Sequence, residues 1–203
     1  GGRRIIKKKN GAYGQRGAVK ELTRSTLEKQ VAANFFGWHE LTTACLPLLR
    51  ANGGGRIVQC SSVLGLLSLK WRGAYNASKF ALEGLTDAMR LELAPFNIRV
   101  VTINPGPIES RFNDNALAAF DRNVQSAGSH YAEEYTRQRK RLTRGGKGRF
   151  KLPPEAVLAK LLLALERERP KAHYYVTIPT HVAAAARRLL PQGLLDRFAD
   201  RNS

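Results

Sequence analysis

Gly55-Arg56-Ile57-Val58-Gln59-Cys60-Ser61-Ser62, and beyond it Tyr75-Asn76-Ala77-Ser78-Lys79, is the stretch whose reading decides the fold. The first part is an apolar run opened by the turn Gly53-Gly54-Gly55 and closed by small polar residues, which predicts a strand. Ser62 then falls at the carboxyl end of that strand, where open α/β sheets collect their functional groups. The second part predicts a helix running to about Ala94, with Phe80, Ala81, Leu85, Ala88 and Leu91 as its apolar face. A further strand, Ile98-Arg99-Val100-Val101-Thr102-Ile103, ends at Asn104-Pro105-Gly106-Pro107, because proline cannot continue a central strand. Strand, helix, strand in this order reads as a right-handed parallel crossover.

The same stretch carries chemistry. Residues four apart share a helix face, so the Tyr75 phenol and the Lys79 ammonium are expected to open into one cleft. A nearby cation favours the phenolate and is expected to lower the tyrosine from its ordinary value of about 10. A phenol so tuned serves as a general acid or base. Ser62, thirteen positions before Tyr75, adds a hydroxyl to polarise a carbonyl or hold an alkoxide oxygen. A Tyr-x-x-x-Lys spacing alone is common on solvated helix faces. The serine offset, the strand before it and the Pro-Gly loop after the helix lift this one above that background.

Five segments together resemble the short-chain dehydrogenase/reductase family, and most closely its 17β-hydroxysteroid-dehydrogenase-like bacterial oxidoreductases. They are Asn10-Gly11-Ala12-Tyr13-Gly14, Asn34-Phe35-Phe36-Gly37, Gly55 to Gly65, Tyr75 to Leu85 and Asn104 to Phe112. The resemblance implies an α/β fold, a Rossmann-like doubly wound parallel sheet with helices on both faces. It implies an NAD(P)-dependent interconversion of an alcohol and a ketone or aldehyde, with NADP or NAD as cofactor. Tyr75 would exchange the proton at the substrate oxygen, Lys79 would lower its pKa and bond the nicotinamide ribose, and Ser62 would orient the carbonyl. Asn34 would hold a water linking Lys79 to solvent. Asn10, Gly11 and Ala12 would border the cofactor, and Pro105, Gly106, Ile108 and Ser110 would pass its nicotinamide ring, Ser110 standing where many relatives carry threonine.

The organisation expected is one domain of 203 residues, 43% of them hydrophobic, enough to bury a core. Residues 1–9 form a basic and disordered lead, 10–112 the catalytic core, 113–151 a variable basic lid over the substrate, and 152–203 a C-terminal helix-strand-helix unit. In that last unit Leu158, Leu161, Leu162 and Leu165 predict a helix packed on a strand from Tyr174 to Ile178, and His181 to Leu190 with Leu194 and Leu195 an amphipathic tail. Cys45 and Cys60 read as buried thiols of a reducing compartment, which makes a cytoplasmic protein the default. No apolar run reaches the length of a membrane span. The four histidines show no metal-ligand spacing and no carboxylate partners, so no metal is expected.

Two features resist the resemblance. A dinucleotide fold opens with a strand, a glycine-rich turn and a helix whose N-terminus meets the pyrophosphate. Gly11, Gly14 and Gly17 lack that spacing, so the first βαβ units are expected to be missing. Lys7, Lys8 and Lys9 also stand where a buried parallel strand wants apolar residues, and this favours a truncated chain with a frayed amino end. The second feature is a net charge of +18, concentrated in Arg3 to Lys9 and in Arg137 to Lys151, which holds eight basic residues and no acid. No base-reading motif accompanies it, which argues against nucleic acid and for a solvated lid. The reading that follows is an oxidoreductase acting on a small-molecule alcohol or carbonyl, free of membranes and compatible with a homo-oligomer. An inactive fragment or pseudoenzyme of the same family, and a basic polyanion-binding module on its scaffold, are the alternatives.

Overall fold

Apolar β-branched runs form the centre of one parallel sheet. Its strands β1 (Ile5–Ile6), β2 (Gly55–Cys60), β3 (Ile98–Asn104) and β4 (His173–Tyr175) lie side by side in that order. In this computed structural model residues 5–6, 12–143 and 150–201 are described. β2 and β3 pair along their whole length, from Gly55 opposite Ile98 to Cys60 opposite Ile103. Successive side chains alternate between faces. Ile57 and Val100 pack with Leu49, Met89 and Leu93 on one face, and Val58, Val101 and Ile103 with Ala164 and Tyr174 on the other.

The helices are α1 (Arg24–Val31), α2 (Gly37–Ala51), α3 (Gly73–Leu93), α4 (Phe112–Asn123), α5 (Ala132–Thr143), α6 (Glu155–Glu166), α7 (Ile178–Leu189) and α8 (Gln192–Arg201). Helices α2 and α3 cover the first face through Leu49, Met89 and Leu93, and α6 covers the second through Ala164. This is the doubly wound arrangement, with helices on both sides of a parallel sheet. Helix α1 starts where the Thr23 side chain accepts from the Thr26 amide, a cap that satisfies one free donor of the first turn.

Several expectations are corrected. Ile5 and Ile6 pair in parallel with Arg56 and Ile57, so part of the lead expected to fray is a strand of the sheet. The remaining residues of 1–9, with their lysines, lie outside the described residues. The face of α3 expected to be apolar is not the buried one: Leu91 is 78% exposed and Ala81 and Ala88 are exposed. The buried face carries Ala74, Tyr75, Ser78, Lys79, Leu82, Thr86 and Met89 instead. A helix with apolar residues all round offers two stripes, and the polar groups of the inward one are buried because each finds a partner, as Thr86 Oγ1 does on Leu82 O at 2.6 Å.

The last strand stops at Tyr175, two residues before α7 begins with Ile178 and Pro179. Proline suits the first helical turn, and its ring fixes the backbone angle that the helix needs. Of the four leucines of α6 expected to pack on the last strand, Leu161 and Leu165 pack against the core while Leu158 and Leu162 remain exposed. Both cysteines are free and only half-buried. The lid is more than a solvated strap: α5 buries Tyr135, Gln138 and Leu142 against Ala18 and Phe120, although residues 144–149 lie outside the described part.

Candidate active site

Ser62, Tyr75 and Lys79 lie at the carboxyl edge of β2. The strand ends there because Pro105 follows β3, and the two edges are tied by Val63 N donating to Pro105 O at 2.8 Å and Ser61 N to Ile103 O at 2.8 Å. Ser62 Oγ accepts from Leu64 N at 3.1 Å, which leaves its own proton free to donate. That hydroxyl neighbours the Tyr75 phenol and favours its ionised form.

The electrostatics differ from the sequence reading. Burial pushes the Tyr75 phenol well above its ordinary range, and this outweighs the lowering by Ser62 and by Arg72. Lys79 is almost wholly buried; its ammonium donates to Cys60 O at 2.9 Å and lies 4.7 Å over the Trp38 ring and 5.7 Å from the Tyr75 ring centre. It is turned toward the strand and the ring rather than the phenolic oxygen, and burial lowers its own pKa. The cation acting on the phenol here is Arg72, one helical turn before it. Trp38, buried on α2, lies beneath the Lys79 ammonium.

Asn34 is fully buried in a π-helical turn, Ala32–Phe36, between α1 and α2. Such widened turns carry one residue more per turn and recur at functional sites. Its Nδ2 donates to Tyr13 O at 3.0 Å and to Ser78 Oγ at 3.2 Å, and Ser78 Oγ donates to Tyr75 O at 2.8 Å. Asn34 thus reaches the tyrosine backbone through Ser78, while its Oδ1 is buried without a partner among the described residues. Ser78 was visible inside Tyr75 to Lys79, but spacing alone assigns it no role. Of the amino-terminal cofactor residues, Asn10 and Gly11 lie outside the described residues. Ala12 is half-buried beside Tyr13, whose carbonyl also accepts from Gln30 Nε2 at 2.9 Å.

The Pro105-Gly106-Pro107-Ile108 loop is fixed by backbone pairing with the chain after the lid. Leu152 N donates to Pro107 O at 3.1 Å and Glu109 N to Leu152 O at 2.9 Å. Those bonds leave the N–H and C=O of Ile108 without a partner among the described residues. Gly106 has no room for a side chain, since an added Cβ would collide with Thr177 Oγ1. Ser110 is exposed and accepts from Phe112 N at 3.3 Å at the start of α4. Phe112 itself, unremarked in the sequence, sets its ring 5.3 Å from that of Tyr75 and against Gly14, closing the front of the phenol.

Behind the site lies a buried polar cluster that sequence spacing missed. Asn104 Nδ2 donates to Glu83 Oε1 at 2.5 Å and to Ser62 O at 3.4 Å. His173 Nδ1 lies 2.8 Å from Thr102 Oγ1 and 3.7 Å from Glu83 Oε2, so this histidine does have a carboxylate neighbour. Burial raises the Glu83 carboxyl and lowers His173. No group of three metal-ligating side chains exists among the described residues, and no described helix is long and apolar enough to cross a membrane.

The sequence pattern of short chain dehydrogenases matches residues 8–119, the segment that holds Asn34, Ser62, Tyr75 and Lys79. The chain belongs to the short-chain dehydrogenase family. It is 41% identical over 190 residues to the oxidoreductase YbbO of Escherichia coli K12, covering 93% of this chain and 64% of that protein. It is 30% identical over 193 residues to the NADPH-dependent 3-dehydrocapnine reductase of Ornithobacterium rhinotracheale, covering 93% of this chain and 66% of the reductase. A crystal structure of a short-chain dehydrogenase from Streptomyces avermitilis superposes with a TM-score of 0.70 at 28% identity, over 93% of this chain and 64% of that one. The chain therefore spans slightly under two thirds of the length of these proteins.

Proposed function

We propose that this chain carries the catalytic half of an NAD(P)-dependent carbonyl reductase or alcohol dehydrogenase, with Tyr75, Ser62, Lys79 and Asn34 as its working side chains. The carrying observation is the convergence of the Tyr75 phenol, the free proton of Ser62 and the Pro105–Ile108 loop at one sheet edge. NADPH dependence in the name of the Ornithobacterium relative agrees with this cofactor class. The residues fit a nicotinamide amide: Ile108 offers an unpartnered N–H and C=O, and the collision at Gly106 shows how closely that backbone is packed. Bound there, a nicotinamide supplies the hydride or accepts it.

The protein supplies position and proton traffic. A substrate carbonyl oxygen placed between Ser62 and Tyr75 receives a hydrogen bond from the serine, which stabilises the negative charge that grows as the carbonyl is reduced. Tyr75 donates its proton to that oxygen, and the raised phenol is a competent acid at neutral pH because it stays protonated. Lys79 holds the Cys60 carbonyl and the underside of the Tyr75 ring, fixing strand and helix in register. Asn34, through Ser78, anchors the turn of α3 that carries Tyr75. Phe112 must swing away from the phenol to admit a substrate, which makes the first turn of α4 the gate of the lid.

The test is reduction of a panel of aldehydes and ketones with NADPH or NADH, alongside a binding titration of both nucleotides. Binding and turnover of at least one carbonyl, lost in Tyr75→Phe, is the expected result. Absence of affinity for either nucleotide overturns it and favours the silent-relative reading, which the Phe112 ring seated on Tyr75 supports.

A further inference from the structure

Glu83 stands two helical turns after Tyr75 on α3, on the inward face that also carries Lys79. It is buried, at 8% exposed, yet no step of the proton transfer uses it. Its Oε1 accepts from Asn104 Nδ2 at 2.5 Å, and the same nitrogen donates to Ser62 O at 3.4 Å. Asn104 is the last residue of β3, fully buried, and immediately precedes the Pro105–Ile108 loop. One side-chain amide thus joins the three elements that hold the phenol, the serine hydroxyl and the loop.

The sequence explains why a side chain is needed here. β2 and β3 are in register up to Cys60 and Ile103, and Ser61 N donates to Ile103 O at 2.8 Å. The next donor of a parallel ladder falls to residue 105, which is a proline and has no N–H. Pairing resumes at Val63 N, which donates to Pro105 O at 2.8 Å. Ser62 therefore lies beside a gap in the ladder, at the point where its hydroxyl must be aimed. The Asn104 side chain bridges that gap.

The bridge has a direction. Thr102 Oγ1 donates its one proton to Asn104 Oδ1 at 3.1 Å, so it accepts from His173 Nδ1 at 2.8 Å. With Oδ1 engaged, Asn104 turns its Nδ2 to Glu83 and Ser62. Donation runs one way, from His173 through Thr102 and Asn104 to the carboxylate, and bonds in such a chain strengthen one another. Gly65 closes the far side: a Cβ added there would lie 2.8 Å from Ser61 Oγ and 3.0 Å from Glu83 Cγ. The Gly65 amide also donates to Ser62 O at 3.0 Å, so that carbonyl has a partner even without Asn104. A well-packed apolar pair in place of Glu83 and Asn104 would hold the fold as firmly. Position, rather than stability, accounts for the polar pair.

We infer that Glu83 and Asn104 are positioning residues: they fix the Ser62 backbone, and with it the serine hydroxyl, relative to the Tyr75 helix and the Pro105–Ile108 loop. This deepens, and rests on, the reading of Ser62 and Tyr75 as the groups that bind and protonate the carbonyl oxygen. Neither positioning residue touches the reacting atoms. A displacement of the hydroxyl by about 1 Å is enough to lower turnover about 10²-fold.

The test reverses the pair by combining Asn104→Asp with Glu83→Gln in the full chain. The glutamine amide then donates to the aspartate, so volume, charge and the bond between α3 and β3 are kept, but the donor to Ser62 O is gone. Amide hydrogen exchange at Val63 and Leu64, whose N–H groups donate to Pro105 O and Ser62 Oγ, reads the positioning without turnover. Both should exchange at least about tenfold faster in the reversed pair, while Ile57, Val58 and the melting temperature stay near the parent. Carbonyl reduction should fall about 10–10²-fold in kcat with KM little changed. Glu83→Gln alone keeps the acceptor for Asn104 and should retain both the protection and most of the turnover. Asn104→Ala, which removes the donor and leaves Ser62 O on the Gly65 amide, should reproduce both losses and serves if the reversed pair folds poorly. Unchanged exchange at Val63 and Leu64, or turnover that simply follows the melting temperature across the variants, overturns the inference even if the parent reduces carbonyls. Faster exchange in a chain that reduces no carbonyl would sink the enzyme reading and leave the hold on Ser62 standing.

Discussion

Gly106→Ala is the sharpest test of how the site is built. The glycine backbone is not in the left-handed region, so alanine brings no backbone strain, and the whole effect is steric. Its new Cβ would overlap Thr177 Oγ1 and come within 2.8 Å of Thr180 Oγ1 and 3.2 Å of Thr177 Cβ. Both threonines are essentially unexposed, at 1% and 0%, and their hydroxyls are bonded to each other at 3.0 Å, so neither can step aside cheaply. Overpacking of this kind costs about 1–3 kcal/mol. In a chain of this size each kcal/mol lowers the melting temperature by about 2–4 °C. Thr177→Ala removes the nearest atom and loses one hydrogen bond, a cost of about 1 kcal/mol. Combined with Gly106→Ala it should recover part of the loss, with a coupling energy of about 0.5–3 kcal/mol. Urea unfolding of the four proteins measures this. If Gly106→Ala unfolds like the parent, or the two substitutions add without coupling, the loop is not wedged against α7 as described.

The remaining predictions concern the proton donor and the lid. Tyr75→Phe should lower carbonyl reduction about 10²–10⁴-fold with little change in the circular dichroism spectrum, since the ring still packs on Phe112; near-normal turnover would remove Tyr75 from its role. Because burial raises the phenol above its usual pKa, reduction should be flat through neutral pH, whereas alcohol oxidation, which needs the phenolate, should climb about tenfold per pH unit into the alkaline range; an oxidation plateau beginning near neutrality in a pH–rate profile would contradict this. Tyr135→Phe removes a hydroxyl that donates to Glu21 at 2.6 Å and accepts from the Ala18 amide at 3.1 Å, and the buried amide left unpaired should cost about 1–3 kcal/mol in thermal unfolding; an unchanged melting temperature would show that α5 does not brace the loop.

What the sequence determined by itself is local and periodic. The run from Gly55 to Ser62, the spacing from Ser62 through Tyr75 to Lys79 and the proline after Asn104 specify two parallel strands, their crossover helix and a site at their carboxyl edge. Each of these is set by neighbours a few residues away. Tertiary structure alone decided what comes from distant parts of the chain. Which stripe of α3 turns inward depends on partners for its buried polar groups, so Leu91 is exposed and Lys79 is not. The Tyr75 phenol is raised rather than lowered because burial is a property of the packed site, and the i, i+4 spacing fixes which face Lys79 shares but not where its long side chain ends. His173 meets Glu83 across about ninety positions of sequence, and Arg16 meets Gln138 across 122, from segments that no periodicity connects. A motif records which groups are present. The fold decides how far each is from water and from the next charge, and for this chain that distance sets the chemistry.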